Sequence, residues 1–251
     1  TMALAMEAAA EQGITFVVLD RPNPIGGTAV EGNPVRPEHY SFVGLFPIPV
    51  RHGMTVAELA AMINTEGWLE DGIRTDLKAI PLENWNRTMW FDETGLTFIK
   101  PSPNIPDLET ATVYPGLCLL EGTNVSEGRG TMQPFLVFGA PWIDAGALSA
   151  ALNDPGMEGV RFEPWRFTPE PIEGMAGNPK HTNRECRGAK IIVENRSVFD
   201  AYWTGIRITD TIRRLYPDSF SWREWHFDRL CGTSKIRETI ERQSELDSLK
   251  V

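Results

Sequence analysis

The spacing of apolar and polar positions changes several times along the chain, and each change marks an element. Residues 2–12 combine Ala, Met, Leu and Glu, which favour helix, and stop at Gly13, a helix-ending residue. Ile14 to Leu19 (ITFVVL) is then a continuous, β-branched apolar run that predicts a buried parallel strand. The loop Asp20-Arg21-Pro22-Asn23-Pro24-Ile25-Gly26-Gly27 follows directly. Its prolines and glycines predict an ordered turn at the strand's carboxyl end, the end where open α/β sheets bind ligands. Ser41 to Val50 is apolar but contains Pro47 and Pro49, so it reads as a loop or an edge strand. Thr55 with Glu58 three residues on forms a capping box that opens a helix. Asp76 to Leu82 (DLKAIPL) reads as the next strand.

Prolines at 101, 103 and 106 interrupt any helix or central strand, so a domain junction is expected near residue 107. Beyond it, strands are expected at 135–138, 160–167 and 189–193. Helices are expected at 145–152, at 198–215 (ended by Tyr216-Pro217) and at 234–249. Two domains result, residues 1–107 and 108–251. The first belongs to the α/β class, and the second is α+β because its helices and strands do not alternate strictly. The absence of a fixed repeat excludes a solenoid.

Composition refines this picture in a few places. The chain has 251 residues, enough for one large or two small domains. Its eight tryptophans are read first as core, with an aromatic ligand cleft as the alternative. A formal net charge of −10 argues against nucleic acid and anionic membranes as partners, because phosphate binding needs clustered cations. A small anion needs only one or two arginines and remains open. No apolar run is long enough for a membrane span. Cys118, Cys186 and Cys231 show no metal or redox spacing; three packed thiols, or one disulfide and one thiol, both fit. The opening TMALAME reads as the middle of an amphipathic helix, so a preceding segment is expected.

The densest chemistry lies in residues 114–131, YPGLCLLEGTNVSEGRGT. An apolar run delivers Glu121 onto a glycine-rich loop that also carries Thr123, Asn124, Ser126, Glu127 and Arg129. So many polar groups are costly to bury unless a ligand or one another satisfies them. Read as a sugar site, the loop offers carboxylates for acid/base work, Asn and hydroxyl groups for sugar hydroxyls, and Arg129 for a ligand carboxylate. Read structurally, it is a turn in which Glu121 or Glu127 pairs with Arg129. It is no phosphate loop, lacking the GK[ST] ending.

Glycoside hydrolysis uses a carboxylic acid and a carboxylate. Glu121 is favoured over Glu127 for such a role, since its apolar stem and glycine neighbour would hold it rigidly. Arg21 and Asn23 follow the first strand and are candidates for substrate contact, or else an Asp20 partner and a turn former. Arg51 and His52 precede the capped helix, close to where anions meet helix N-termini. His52 is the histidine best placed for catalysis, or else bonds the backbone. Asn104 is a substrate contact or a turn residue, and Asp144 reads as a helix cap. His39, His181 and His226 lack ligand spacing, so neither a metal nor a cofactor is expected.

These segments carry a resemblance. YPGLCLLEGTNVSEGRGT, VVLDRPNPIGG (17–27), PIPVRHGMTVAELA (47–60), PSPNIPDLETA (101–111), FGAPWID (138–144) and FDRLCGTSKIRE (227–238) are similar to motifs of the NamZ-type exo-β-N-acetylmuramidase family. The resemblance implies a Rossmann-like N-terminal domain, incomplete here, followed by a smaller C-terminal domain, with an active cleft between them. It implies removal of N-acetylmuramic acid from non-reducing ends of peptidoglycan fragments (muropeptides or disaccharides), in an extracellular or periplasmic setting. It also implies further chain before Thr1, including a Gly-Pro-Glu-His-Gly-type motif with a catalytic glutamate. A non-catalytic muropeptide-binding protein is the alternative. A nucleotide-using Rossmann enzyme ranks last, for want of a GxGxxG after a strand.

Overall fold

The computed structural model describes residues 1–154 and 156–246. They form two compact units, the first built from residues 1–29 and 52–98, the second from 30–51 and 99 onward. The architecture is mixed α/β, with a separate sheet in each unit.

In the first unit, α1 (Met2–Glu11) ends where Gly13 adopts φ +62°, and Ile14 N–H donates to the Ala9 carbonyl at 2.9 Å. That left-handed turn satisfies a terminal helix carbonyl. Strand β1 (Phe16–Leu19) pairs in parallel with β2 (Leu77–Ile80), and α2 (Val56–Glu66) lies between them in sequence. Parallel pairing is as the sequence predicts, but burial of the strand is not. Only Val18 of β1 is buried, while Val17 and Leu19 are 51% and 70% exposed. Alternate residues of a strand point to opposite faces. Within this unit α1 and α2 contact β1, and the small core holds Met6, Val18, Ala60 and Ile63. The capping box of α2 is present as expected: Thr55 Oγ1 accepts from Glu58 N–H, and Glu58 accepts from Thr55 N–H.

The second unit is the larger. Helix α3 (Leu108–Leu117) leads through a 3-10 turn (Cys118–Gly122) toward β3 (Val137–Ala140) and α4 (Ala145–Asn153). Strands β4 (Val160–Phe167) and β5 (Cys186–Val193) complete an antiparallel sheet of order β3-β5-β4. Helices α5 (Ala201–Leu215), α6 (Glu224–Cys231) and α7 (Lys235–Glu241) follow. The core includes Leu117, Phe138, Leu148, Ile191, Ile206 and Phe227.

Several elements sit where the sequence places them. β4 matches residue for residue, α4 starts after its Asp144 cap, and α5 stops before Pro217. Others differ. β3 lies two residues later than expected, because Phe135 takes a left-handed φ of +64° and cannot continue a strand. α3 and α6 are absent from the sequence reading. Pro115 and Gly116 disguise α3, yet Gly116 lies directly against the backbone of α5, where any β-carbon would overlap the Ala201 carbonyl. The expected terminal helix ends at Glu241; the part predicted beyond 246 lies outside the described residues. Cys118, Cys186 and Cys231 are buried free thiols rather than a disulfide pair. Burial pushes the Cys186 thiol up to about 12 and the other two higher still, leaving all three protonated and unreactive.

Candidate active site

The loop after α3 is shaped by its own short-range hydrogen bonds. Thr123 Oγ1 donates to the Leu120 carbonyl at 2.8 Å and accepts from Val125 N–H at 3.1 Å. Ser126 Oγ accepts from Gly128 N–H, and the Ser126 backbone bonds reciprocally with Gly139 of β3. Asn124 donates from Nδ2 to the Ser219 carbonyl and accepts Ser221 N–H at Oδ1. These three side chains thus hold the loop in position. Gly128 has φ +80° and sits against the Val137 carbonyl, a position that excludes a side chain.

This framework turns Glu121, Glu127 and Arg129 into one pocket of about 360 Å³, lined also by Asn178, Lys180, Arg223 and His226. Arg129 reaches Glu121 Oε1 from Nε at 2.8 Å and from Nη2 at 2.6 Å, and its Nε lies 3.6 Å from Glu127 Oε1. Its guanidinium also stacks 5.0 Å from the Phe135 ring centre. Arg129, expected to meet a ligand carboxylate, is therefore occupied by two internal ones. Lys180 Nζ stands 2.9 Å from Glu127 Oε2 and donates to the carbonyls of Leu120 (2.7 Å) and Val125 (2.9 Å). Burial lowers the Lys180 pKa, and Glu127 opposes that shift. The ammonium thus serves as a strut between Glu127 and the backbone.

Arg223 occupies the N-cap position of α6 without a side-chain capping bond, and its N–H donates to the Gly122 carbonyl at 2.8 Å. Gly122 permits this approach, since a β-carbon there would lie 2.5 Å from Phe227 Cα. His226 lies one helical turn further, its Nδ1 2.6 Å from Arg229 Nη2. Burial first, then Arg229, Lys180 and Arg223, lower the His226 pKa and favour the neutral ring. With Nδ1 accepting from Arg229, the proton resides on Nε2, a hydrogen-bond donor.

The other sequence candidates lie elsewhere. Arg51 is buried in an ion pair with Glu31, whose second oxygen accepts from Tyr202 N–H at 3.1 Å. Asn104 is buried and donates to the Met175 carbonyl at 2.7 Å, steadying the chain just before Ala176 in the pocket wall. Arg21, Asn23 and His52 belong to the first unit. Arg21 is exposed, and its N–H donates to Asp20. Asn23 bonds the Met54 carbonyl and Ile25 N–H, forming a turn. His52 Nδ1 accepts Met54 N–H at 3.1 Å, and burial lowers its pKa.

Lys180, Arg223 and His226 escaped the sequence reading. The one signal for them was a pair of short polar stretches, Asn178-Pro179-Lys180-His181 and Arg223-Glu224-Trp225-His226, with no spacing that singles them out. Among the described residues no cluster of His, Cys, Asp and Glu could hold a metal, and no helix is long and apolar enough to cross a membrane.

A mixed α/β chain with two separate sheets and a charged pocket has close structural counterparts. Crystal structures of two DUF1343 family proteins from Bacteroides fragilis NCTC 9343 superpose with TM-scores of 0.89 and 0.77, at 32% and 33% identity. Each covers 99% of this chain and 64% of the other. Residues 1–109 match the model for "Exo-beta-N-acetylmuramidase NamZ, N-terminal", and residues 112–251 match its C-terminal counterpart. The chain belongs to the NamZ exo-β-N-acetylmuramidase family. It is 45% identical, over 250 residues, to the peptidoglycan β-N-acetylmuramidase NamZ of Bacillus subtilis (strain 168). That alignment spans 99% of this chain and 58% of the relative, so the chain covers less than two thirds of the relatives it matches.

Proposed function

We propose that the protein is an exo-acting glycoside hydrolase that releases N-acetylmuramic acid from non-reducing ends of peptidoglycan fragments. The observation carrying this reading is the pocket in which Glu121 and Glu127 face one small void beside Arg129, Lys180 and Arg223. Its volume of about 360 Å³ falls at the lower end of the roughly 300–1,000 Å³ typical of small-molecule sites. That size suits one terminal sugar with its substituents better than a bound polysaccharide, which favours exo action.

Glu121 is the carboxylate proposed to act at the glycosidic bond, because it is the more exposed of the two acids, at 20% against 5%. Glu127, held by Lys180, shapes the floor. Hydrolysis needs a second carboxyl group opposite the first. The first unit is proposed to be part of a Rossmann-like domain, on the strength of its parallel β1–β2 pair and intervening helix. The proposed peptidoglycan substrate favours an extracellular or periplasmic setting.

The test compares release of a chromogenic aglycone from a β-N-acetylmuraminide and from a β-N-acetylglucosaminide. Release from the muraminide alone is the expected result; equal rates on both would sink the assignment. Tight calorimetric binding of muramic-acid sugars without release would instead establish a non-catalytic muropeptide-binding protein.

A further inference from the structure

The charges of the pocket do not cancel. Glu121 is matched by Arg129, and Glu127 by Lys180 with help from Arg129, so two acids consume two cations. Lys180 is saturated further by two backbone carbonyls. Arg223 is the cation left over: it lines the same void, and its guanidinium has no hydrogen bond or ion pair among the described residues. Its backbone is nevertheless held, by the bond from its N–H to the Gly122 carbonyl and by the close approach of α6 to Gly122. The neighbouring donor is His226 Nε2–H, since Nδ1 is engaged by Arg229. A neutral ligand would leave this side of the pocket uncompensated. A ligand with one negative charge would complete it.

We infer that Arg223, assisted by His226, binds the carboxylate of a monoanionic sugar and sets the preference for that sugar over its uncharged counterpart. This rests on the sugar reading above and names its specificity residue. In N-acetylmuramic acid the carboxylate is that of the lactyl ether, the group that separates it from N-acetylglucosamine. A guanidinium is well suited to the task because its planar fork donates two parallel hydrogen bonds to a carboxylate. Arg129, the arginine nearest the glutamates in sequence, cannot take this part while Glu121 and Glu127 hold it.

The experiment measures binding rather than turnover. Calorimetry compares N-acetylmuramic acid with its lactyl methyl ester on the unaltered protein, on Arg223→Gln and on Arg223→Lys. The unaltered protein is expected to bind the acid about tenfold or more tightly than the ester, a difference of about 1.4 kcal/mol. Arg223→Gln is expected to erase that difference by weakening the acid far more than the ester, and Arg223→Lys to retain part of it. Because Arg223 is exposed, both variants are expected to keep the parental melting temperature, which separates a lost contact from a lost fold. If Arg223→Gln keeps the preference for the acid, the role of Arg223 is overturned while the sugar site stands. If the unaltered protein binds neither ligand, the sugar reading falls as well.

Discussion

Two loops of this protein have similar compositions and opposite fates. The loop at 20–27 in the first unit and the loop at 121–131 in the second both follow apolar runs, and both carry an amide, an arginine and one or two acids. In the first, Asp20 and Asn23 are spent on the turn and the helix start around them. Asp20 accepts from Thr55 Oγ1 and Ala57 N–H at the start of α2, Asn23 spans Met54 and Ile25, and His52 accepts Met54 N–H. In the second, Thr123, Asn124 and Ser126 do that local work, while Glu121 and Glu127 meet Arg129 beside a void. Charges that meet beside an open volume can be reached by a ligand. Charges that cap helix and turn groups hold the fold and offer little chemistry.

The sharpest way to break this contrast is Lys180→Met. It removes the ammonium beneath Glu127 and leaves a buried carboxylate that Arg129 approaches only at 3.6 Å. A loss of about 3–5 kcal/mol in denaturant-unfolding stability is expected; a loss under about 1 kcal/mol would show the strut to be dispensable. Glu121→Gln probes the same cluster from its open side. Turnover of the muraminide is expected to fall about a hundredfold, with stability changed by no more than about 1 kcal/mol because the pair is partly exposed. Unchanged turnover would remove Glu121 from the reaction.

In the first unit the balance is reversed. Thr55→Ala deletes the α2 cap and the partner of Asp20 together, and a loss of about 1–2 kcal/mol is expected with KM unmoved. A raised KM would show that this loop also meets substrate.

The smallest effect is on pH dependence. Burial lowers the pKa values of His52, His181 and His226 from their ordinary 6.5. A depressed pKa means that the unfolded chain binds protons more readily than the folded one. Stability is therefore full above about pH 6.5 and declines as pH falls through the lowered values. His52→Asn should flatten part of that decline in a melting series across pH 5–8, and an unaltered slope would assign the decline to other groups.

What could be read from the chain alone is what neighbours in sequence decide. The capping box at Thr55, the Asp144 cap, the stop before Pro217 and the turn at Gly13 each depend on a few adjacent residues. The glycine-rich loop at 121–131 declared itself for the same reason, whereas the pairing of its acids with Arg129 stood only as one of two readings until distances were known. Tertiary structure decided the rest. α3 exists despite Pro115 because its backbone packs on α5 through Gly116 and Gly205, a gain that local propensity does not register. Lys180 reaches Leu120 across 60 residues of sequence, and Arg223 and His226 arrive on a helix that closes against Gly122. Which arginine is occupied and which remains available depends on distances through space, and the order of residues carries no measure of those.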